Sequence, residues 1–279
     1  MSLSLSLWVL FGAMLHAAWN TLIKGGQDKL LDTLLVAVGA MLLALPGLWL
    51  LPPPLPAAWP YLVGSIAIHV LYFYLIIHAY RYGDLSVVYP LMRGGAPLLT
   101  SLVAVLLLGE HVSTTGLLGI SLLCGGIALL AVGQWRHGAD RRAVWFGLAN
   151  AVVIVCYTLF DGLGARQAGH AASYTAWLFA FNALPLLAIG VWLRRATLLG
   201  QLRQGYRRML IGGGCSVGAY GIALWAMTQA PIALVAALRE SSVLFAALFG
   251  AVWLKERLSI WRAAAAMAVF SGAWMIRQG

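Results

Sequence analysis

About ten stretches of roughly 20 mostly apolar residues run through this chain, and they restrict its fold more than any other feature. A helix of roughly 20 apolar residues crosses a hydrocarbon core of about 30 Å while pairing its own backbone polar groups. Only 9% of the 279 residues are charged, against about a quarter in a soluble domain, so a soluble fold could not bury the apolar surface. The predicted spans are 5–23, 33–51, 59–80, 85–108, 115–133, 143–163, 172–193, 209–227, 232–254 and 260–276.

The distribution of lysine and arginine predicts the orientation, because short basic loops stay in the cytoplasm. Two basic residues, Arg166 and Arg277, lie on one predicted side. The other side holds fourteen: Lys24, Lys29, Arg81, Arg136, Arg141, Arg142, Arg194, Arg195, Arg203, Arg207, Arg208, Lys255, Arg257 and Arg262. We predict a multi-pass protein of the cell inner (plasma) membrane with both termini on the non-cytoplasmic side. The net charge of +10 is scattered over short loops, which argues against a nucleic-acid partner.

An internal repeat relates the two halves of the chain. A shift of 146 positions without a gap aligns spans three to five with spans eight to ten, and it superposes Tyr74 on Tyr220, Arg93 on Arg239, Glu110 on Glu256 and Ser113 on Ser259. Five helices in each half turn the second copy upside down relative to the first. We therefore predict an all-α polytopic membrane protein of ten transmembrane helices, built as two inverted five-helix repeats, 1–135 and 136–279, in one integrated membrane domain. Inverted repeats of this kind are typical of secondary transporters.

Two segments and a pair of turns resemble a known family: His16-Ala-Ala-Trp19-Asn20-Thr-Leu-Ile-Lys24, Tyr89-Pro-Leu-Met-Arg93-Gly-Gly-Ala-Pro97, and the Leu-x-Glu turns at Glu110 and Glu256. With the ten-helix layout, they resemble the EamA family of the drug/metabolite transporter superfamily. The resemblance implies a secondary transporter whose central cavity is lined by spans one, three, four, six, eight and nine, with spans five and ten at the periphery. It implies a substrate among amino acids, other metabolites and drugs without naming one.

Candidate substrate-binding residues are polar or aromatic side chains within the apolar spans: His16, Trp19, Asn20, Tyr74, Tyr89, Arg93, Tyr157, Tyr220, Arg239 and Glu240. Arg93 and Arg239 lie about seven or eight residues into their spans, too deep to reach the interface easily. A guanidinium there can bind a carboxylate or phosphate through two parallel hydrogen bonds. Two alternatives remain open: Arg239 pairs with Glu240, or both arginines hydrogen-bond to backbone carbonyls.

The other candidates have structural alternatives as well. Glu240 could exchange a proton, bind a substrate amine, or form an ion pair that fixes packing. The side chains of His16, Trp19 and Asn20 share one helix face and could line the cavity or bond neighbouring helices. Glu110 and Glu256 end their spans at the interface, where we expect them to cap the next helix or bond the turn.

No motif for catalysis is present: the sequence contains no Gly-x-Ser-x-Gly, no His-Glu-x-x-His and no paired intramembrane aspartates, so we predict no enzyme. Cys124, Cys156 and Cys215 show no ligand-like spacing, and we expect no metal, no disulfide and no cofactor. The predicted function is a secondary transporter, an exporter, of small polar metabolites such as amino acids or related zwitterions and anions, working by alternating access. The alternatives are a lipid or amphiphile flippase and a multidrug or cation exporter of the same fold. The predicted partners are a small-molecule substrate and the lipid bilayer, with proton coupling and oligomeric state left open.

Overall fold

The computed structural model describes the backbone of residues 1–82, 85–135, 140–194, 197–253 and 260–278, and their side chains except 24, 77, 80, 85–91, 93–95, 130–135, 247, 250–253 and 260–263. Within these ranges the secondary structure is helical. The α-helices are α1 Leu3–Lys24, α2 Lys29–Ala44, α3 Gly47–Leu50, α4 Trp59–Tyr82, α5 Leu85–Leu108, α6 Thr114–Trp135, α7 Arg141–Gln167, α8 Ala171–Arg194, α9 Leu198–Gln204, α10 Tyr206–Met227, α11 Ile232–Arg239, α12 Ser242–Trp253 and α13 Ile260–Gln278.

Several of these helices are suited to a bilayer by length and composition. In the described part of the chain, six are long and apolar enough to cross one: Leu3–Ile23, Lys29–Leu50, Pro56–Ile76, Arg141–Gln167, Ala171–Arg194 and Tyr206–Met227. Two shorter apolar helices, Ala96–Leu108 and Thr114–Leu129, accompany them. The chain is thus an all-α polytopic membrane protein, and the number ten stays a prediction.

The described helices pack in pairs that have counterparts in the other half. Helix α4 packs on α7, and α1 packs on α10. Likewise α5 packs on α7, and α12 packs on α1. At one end of the bundle the Met1 ammonium donates to the backbone oxygen of Arg277 at 3.4 Å, so α1 begins where α13 finishes. The two ends of the chain therefore lie on the same side of the bundle, as an even number of membrane crossings requires.

Helices α6 and α13 approach each other closely through glycine. A Cβ atom at Gly119 would lie 2.8 Å from the backbone oxygen of Gly272, and one at Gly126 would lie 3.0 Å from that of Ala265. The partner number falls as the α6 number rises, so the two helices are antiparallel. The shift of 146 positions carries Gly119 to Ala265 and Gly126 to Gly272, and therefore converts each of these contacts into the other.

Replacing Gly119 with alanine is expected to lower the stability of the protein by about 1–3 kcal/mol. The added methyl group would overlap with backbone atoms of α13, which cannot change rotamer as a side chain can. The melting temperature of the detergent-purified protein measures the effect. The matched control is Gly125→Ala on the same helix, where a Cβ would meet nothing within 4 Å. Equal melting temperatures for the two variants would contradict the described contact.

The predicted span 232–254 is not one continuous helix. Helix α11 ends at Arg239 and α12 begins at Ser242, because the chain tightens between them: the amide of Glu240 bonds the oxygen of Ala237 at 3.0 Å, and the amide of Ser241 bonds that of Leu238 at 3.1 Å. These bonds span three residues instead of four. A tightened turn within a helix is a recurrent sign of a hinge.

Candidate functional site

Polar and aromatic side chains from five helices meet inside the bundle. This group, called the polar core below, consists of Ser65 and His69 of α4, Tyr157 and Asp161 of α7, Tyr174 of α8, Tyr220 of α10 and Arg239 of α11. Asp161 lies six residues before Gln167 and Arg239 seven after Ile232, the helix ends on the same side of the bundle. At 1.5 Å per residue, both are roughly 10 Å below that end.

Asp161 is the hydrogen-bonding centre of the polar core. Its side chain is fully buried, and its carboxylate accepts hydrogen bonds from the Tyr174 hydroxyl at 3.0 Å and from the Tyr220 hydroxyl at 2.5 Å. The side chains of Ser65 and His69 interact with it from α4. Among the described side chains none forms an ion pair with Asp161. The hydrogen-bond donors that the structure describes at this carboxylate are therefore neutral hydroxyl groups.

His69 is held in a defined tautomer next to this carboxylate. Its Nδ1 lies 2.8 Å from the Ser65 backbone oxygen, and since a carbonyl can only accept, Nδ1 carries a proton and donates it. The His69 ring also packs on Tyr157, with ring centroids 4.5 Å apart. His69 thus hydrogen-bonds to the backbone of its own helix and packs on an aromatic ring of α7.

Arg239 carries the cationic side of the polar core. Its side chain is 5% exposed, and its guanidinium carbon lies 5.2 Å from the centroid of the Tyr220 ring. Its Nε and Nη1 atoms have no hydrogen-bond partner among the described residues. A buried donor left unpaired costs about 1–3 kcal/mol, more when it is charged.

Glu240 follows Arg239 in sequence but belongs to a different face of the helix. It is 4% exposed and comes three residues after Ala237, which packs with Leu234 against Leu123 of α6. Residues three apart on a helix share a face. The structure thus directs Arg239 towards Tyr220 and places Glu240 on the side of α6. Its role in binding stays a prediction.

The other predicted residues that the structure describes lie on α1 and on the outer face of α4. In α1, the His16 and Trp19 rings contact each other at 5.0 Å, and Asn20 Nδ2 donates to the His16 backbone oxygen at 2.8 Å. Tyr74 is 55% exposed and lies on the outer stripe of α4 that includes Val70. The side chains of Tyr89 and Arg93 lie outside the described residues.

Sequence reasoning did not select Ser65, His69, Asp161 or Tyr174 as site residues. A signal for Asp161 was available. It stands four residues after Tyr157, so the two share a face of α7, and it is an acidic residue within an apolar span.

Glu110 forms a second polar group, at the end of the bundle nearest the polar core. This group, called the clasp below, consists of Glu110, Arg166 and the backbone of Met227, Ala230, Ile232 and Ala233. The Glu110 carboxylate accepts from the amides of Ile232 at 2.9 Å and Ala233 at 3.2 Å, the first two residues of α11. A carboxylate is favourable there, since it pairs orphan amides at the positive end of the helix dipole.

Arg166 completes the clasp from the last turn of α7. Its Nη2 donates to Glu110 at 2.8 Å and to the Ala230 oxygen at 3.0 Å, while its Nε donates to the Met227 oxygen at 2.7 Å. The expectation that Glu110 caps the next helix is wrong, because the Ser113 hydroxyl accepts from Gly116 and caps α6 instead. Glu256 lies outside the described residues. The clasp therefore joins the first half of the chain to three elements of the second.

At the opposite end, ion pairs connect different helices. Asp28, at the start of α2, pairs with Arg194 at 2.5 Å, and Asp32 pairs with Arg208 at 3.2 Å. The amide of Leu31, together with Arg194, holds the pKa of the Asp28 carboxyl below its usual range. These pairs connect α2 to α8 and α10, whereas the clasp connects α5 to α7 and α11.

Metal ligands do not gather anywhere in the described part of the chain, where no three His, Cys, Asp or Glu side chains could hold an ion together. Cys124, Cys156 and Cys215 are free thiols.

The fold is that of a multi-pass membrane protein with a buried polar core. The sequence matches the EamA-like transporter family twice, over residues 3–132 and 141–278. The chain belongs to this family. A solved crystal structure superposes with a TM-score of 0.72 over 99% of this chain and 96% of the other, at 18% sequence identity, and this likeness shows the fold alone. A comparison with curated proteins finds no match.

Proposed function

We propose that this transporter is a secondary carrier that exports small metabolites bearing a carboxylate or similar anionic group, zwitterionic amino acids included. The observation that carries the proposal is the buried guanidinium of Arg239, whose Nε and Nη1 donors are unpaired in the described structure. A buried charged donor without an acceptor is costly, and a substrate anion would supply acceptors for both atoms. The Tyr220 ring below the guanidinium would fix its plane.

Alternating access is the mechanism that the architecture favours. A shift of 146 positions converts each of the two α6–α13 contacts into the other. Two inverted repeats, 1–135 and 136–279, that are related by an axis in the membrane plane would produce this symmetry. Two such halves can rock about a shared site and open it to either side. The contact geometry supports the inverted arrangement because related helices run antiparallel.

The described conformation supports a closed pathway above the site. Arg239 is buried, so a solute reaches it only after helices move, and the clasp bonds the start of α11 about 10 Å above it. The tightened turn after Arg239 gives α11 a place to bend relative to α12. In this proposal the clasp faces the non-cytoplasmic side of the inner membrane, where the charge distribution puts both termini.

Counterflow in proteoliposomes tests the proposal. Vesicles loaded with unlabelled acetate, succinate, alanine or choline are diluted into labelled acetate or labelled choline, and protein-free vesicles give the background. Acetate, succinate and alanine are expected to drive accumulation of labelled acetate, while choline is expected to drive neither label. Exchange confined to choline would show a cation exporter, and scrambling of a fluorescent phospholipid without acetate exchange would show a flippase. Either result overturns the proposal.

A further inference from the structure

We propose that Asp161 is a proton-binding site coupled to anion binding at Arg239, so that the carrier moves its anion together with a proton. The inference rests on the proposed anion site and adds the ion that travels with the substrate. In chemical terms, the Asp161 carboxylate takes a proton from water on one side of the membrane as an O–H bond forms. The same bond breaks when the proton returns to water on the other side.

The surroundings of Asp161 favour a proton over any larger cation. The titratable and charged groups around it are His69 on α4, Tyr157 on its own helix, Tyr174 on α8, and Tyr220 on α10 with Arg239 of α11 behind it. None of them forms an ion pair with the carboxylate within the described residues. An ionised carboxylate buried without a cation is costly, and a proton neutralises it without needing a space of its own.

Tyr220 connects Asp161 to the anion site. Its hydroxyl donates to Asp161 at 2.5 Å, and the face of its ring lies 5.2 Å from the guanidinium carbon of Arg239. The carboxylate and the guanidinium thus lie against one side chain without touching each other. An anion bound to Arg239 would bring a second negative charge into this low-dielectric region, and protonation of Asp161 removes the first.

The sign of the coupling follows from this electrostatic argument. Anion binding favours the protonated form of Asp161, and by thermodynamic reciprocity protonation strengthens anion binding by the same factor, typically about 5- to 150-fold for coupled sites. A monovalent anion that travels with one proton carries no net charge across the membrane. Such a carrier can export an accumulated metabolic acid down the concentration gradient of that acid.

The test measures acetate binding and proton uptake on the purified full-length protein. Calorimetry from about pH 6 to about pH 8, in buffers of different ionisation enthalpy, gives both quantities. For the wild type we expect proton uptake on acetate binding, and an affinity that rises by up to about tenfold for each unit by which the pH falls. Asp161→Asn is expected to bind acetate with an affinity independent of pH and without proton uptake.

Two further variants make the assignment specific. Asp28→Asn replaces an aspartate outside the membrane spans and is expected to retain the wild-type proton uptake. His69→Gln alters the polar core itself and is expected to change the affinity for acetate, while each acetate that binds still brings about the uptake of a proton. If proton uptake is lost in His69→Gln but persists in Asp161→Asn, the histidine binds the proton and the inference is overturned.

If Asp161→Asn fails to fold, wild-type protein labelled with ¹³C-aspartate replaces it. Acetate-induced infrared difference spectra should then gain a protonated carboxylic acid band that shifts with the label, and its absence overturns the inference. A failure of this inference can be distinguished from a failure of the proposed function. Acetate binding without proton uptake refutes only the role of Asp161, whereas no binding of any anion or zwitterion refutes the proposed function itself.

Discussion

Replacing Arg239 with glutamine is expected to lower acetate exchange in proteoliposomes by at least about 100-fold, because charge-assisted hydrogen bonds contribute about 1.5–3 kcal/mol each and two are lost. Arg239→Lys should fall between this variant and the wild type. Lysine keeps the charge but presents a compact ammonium in place of the planar fork that matches a carboxylate.

The matched control for these variants is Arg203→Gln, which removes an exposed arginine in the last turn of α9. It should exchange acetate at the wild-type rate. The melting temperatures of all the purified variants show whether a loss of exchange reflects misfolding. Wild-type exchange by Arg239→Gln would mean that the unpaired donors do not meet the substrate.

Replacing Glu110 with glutamine is expected to loosen the clasp by about 1–3 kcal/mol, because the neutral amide leaves Arg166 and the start of α11 without their negative partner. The fraction of molecules that are open at the clasp end of the bundle should rise by about five- to 150-fold. The clasp also positions α11, so the effect should reach Arg239 at the other end of this helix.

Thiol labelling measures the opening. A cysteine at Ala236, one turn before Arg239, is placed in a variant whose Cys124, Cys156 and Cys215 are replaced. A membrane-impermeant reagent should label it faster when Glu110→Gln is also present. His111→Gln, at the exposed neighbouring position, should leave the rate unchanged. A Glu110→Gln protein that folds but is labelled no faster would show that the clasp does not close the pathway.

The membrane class and some residues of the polar core can be predicted from sequence for a simple reason. Polar groups are expensive in lipid, so an arginine or tyrosine deep in an apolar span must face protein or water. This argument selected Arg239, Tyr157 and Tyr220, and the structure places all three together. The resemblance to the EamA family rests on the same regularity, since the motifs at His16 and Arg93 stand out against an apolar background.

Other features depend on packing that local sequence does not encode. Asp161 becomes central only because Tyr174 and Tyr220 arrive from two other helices. Glu110 binds amides 122 and 123 residues away, beyond any spacing rule for a helix cap. The break after Arg239 contains neither proline nor glycine, so no residue in the sequence marks it.

The central claim is that the guanidinium of Arg239 binds the anion, and NMR of protein with ¹⁵N-labelled arginine Nε tests it most directly. One Nε–H resonance, identified by its absence from Arg239→Gln, should move downfield and saturate as acetate is added, because an unpaired donor gains a carboxylate acceptor. A resonance that stays fixed while calorimetry shows acetate bound would contradict the account.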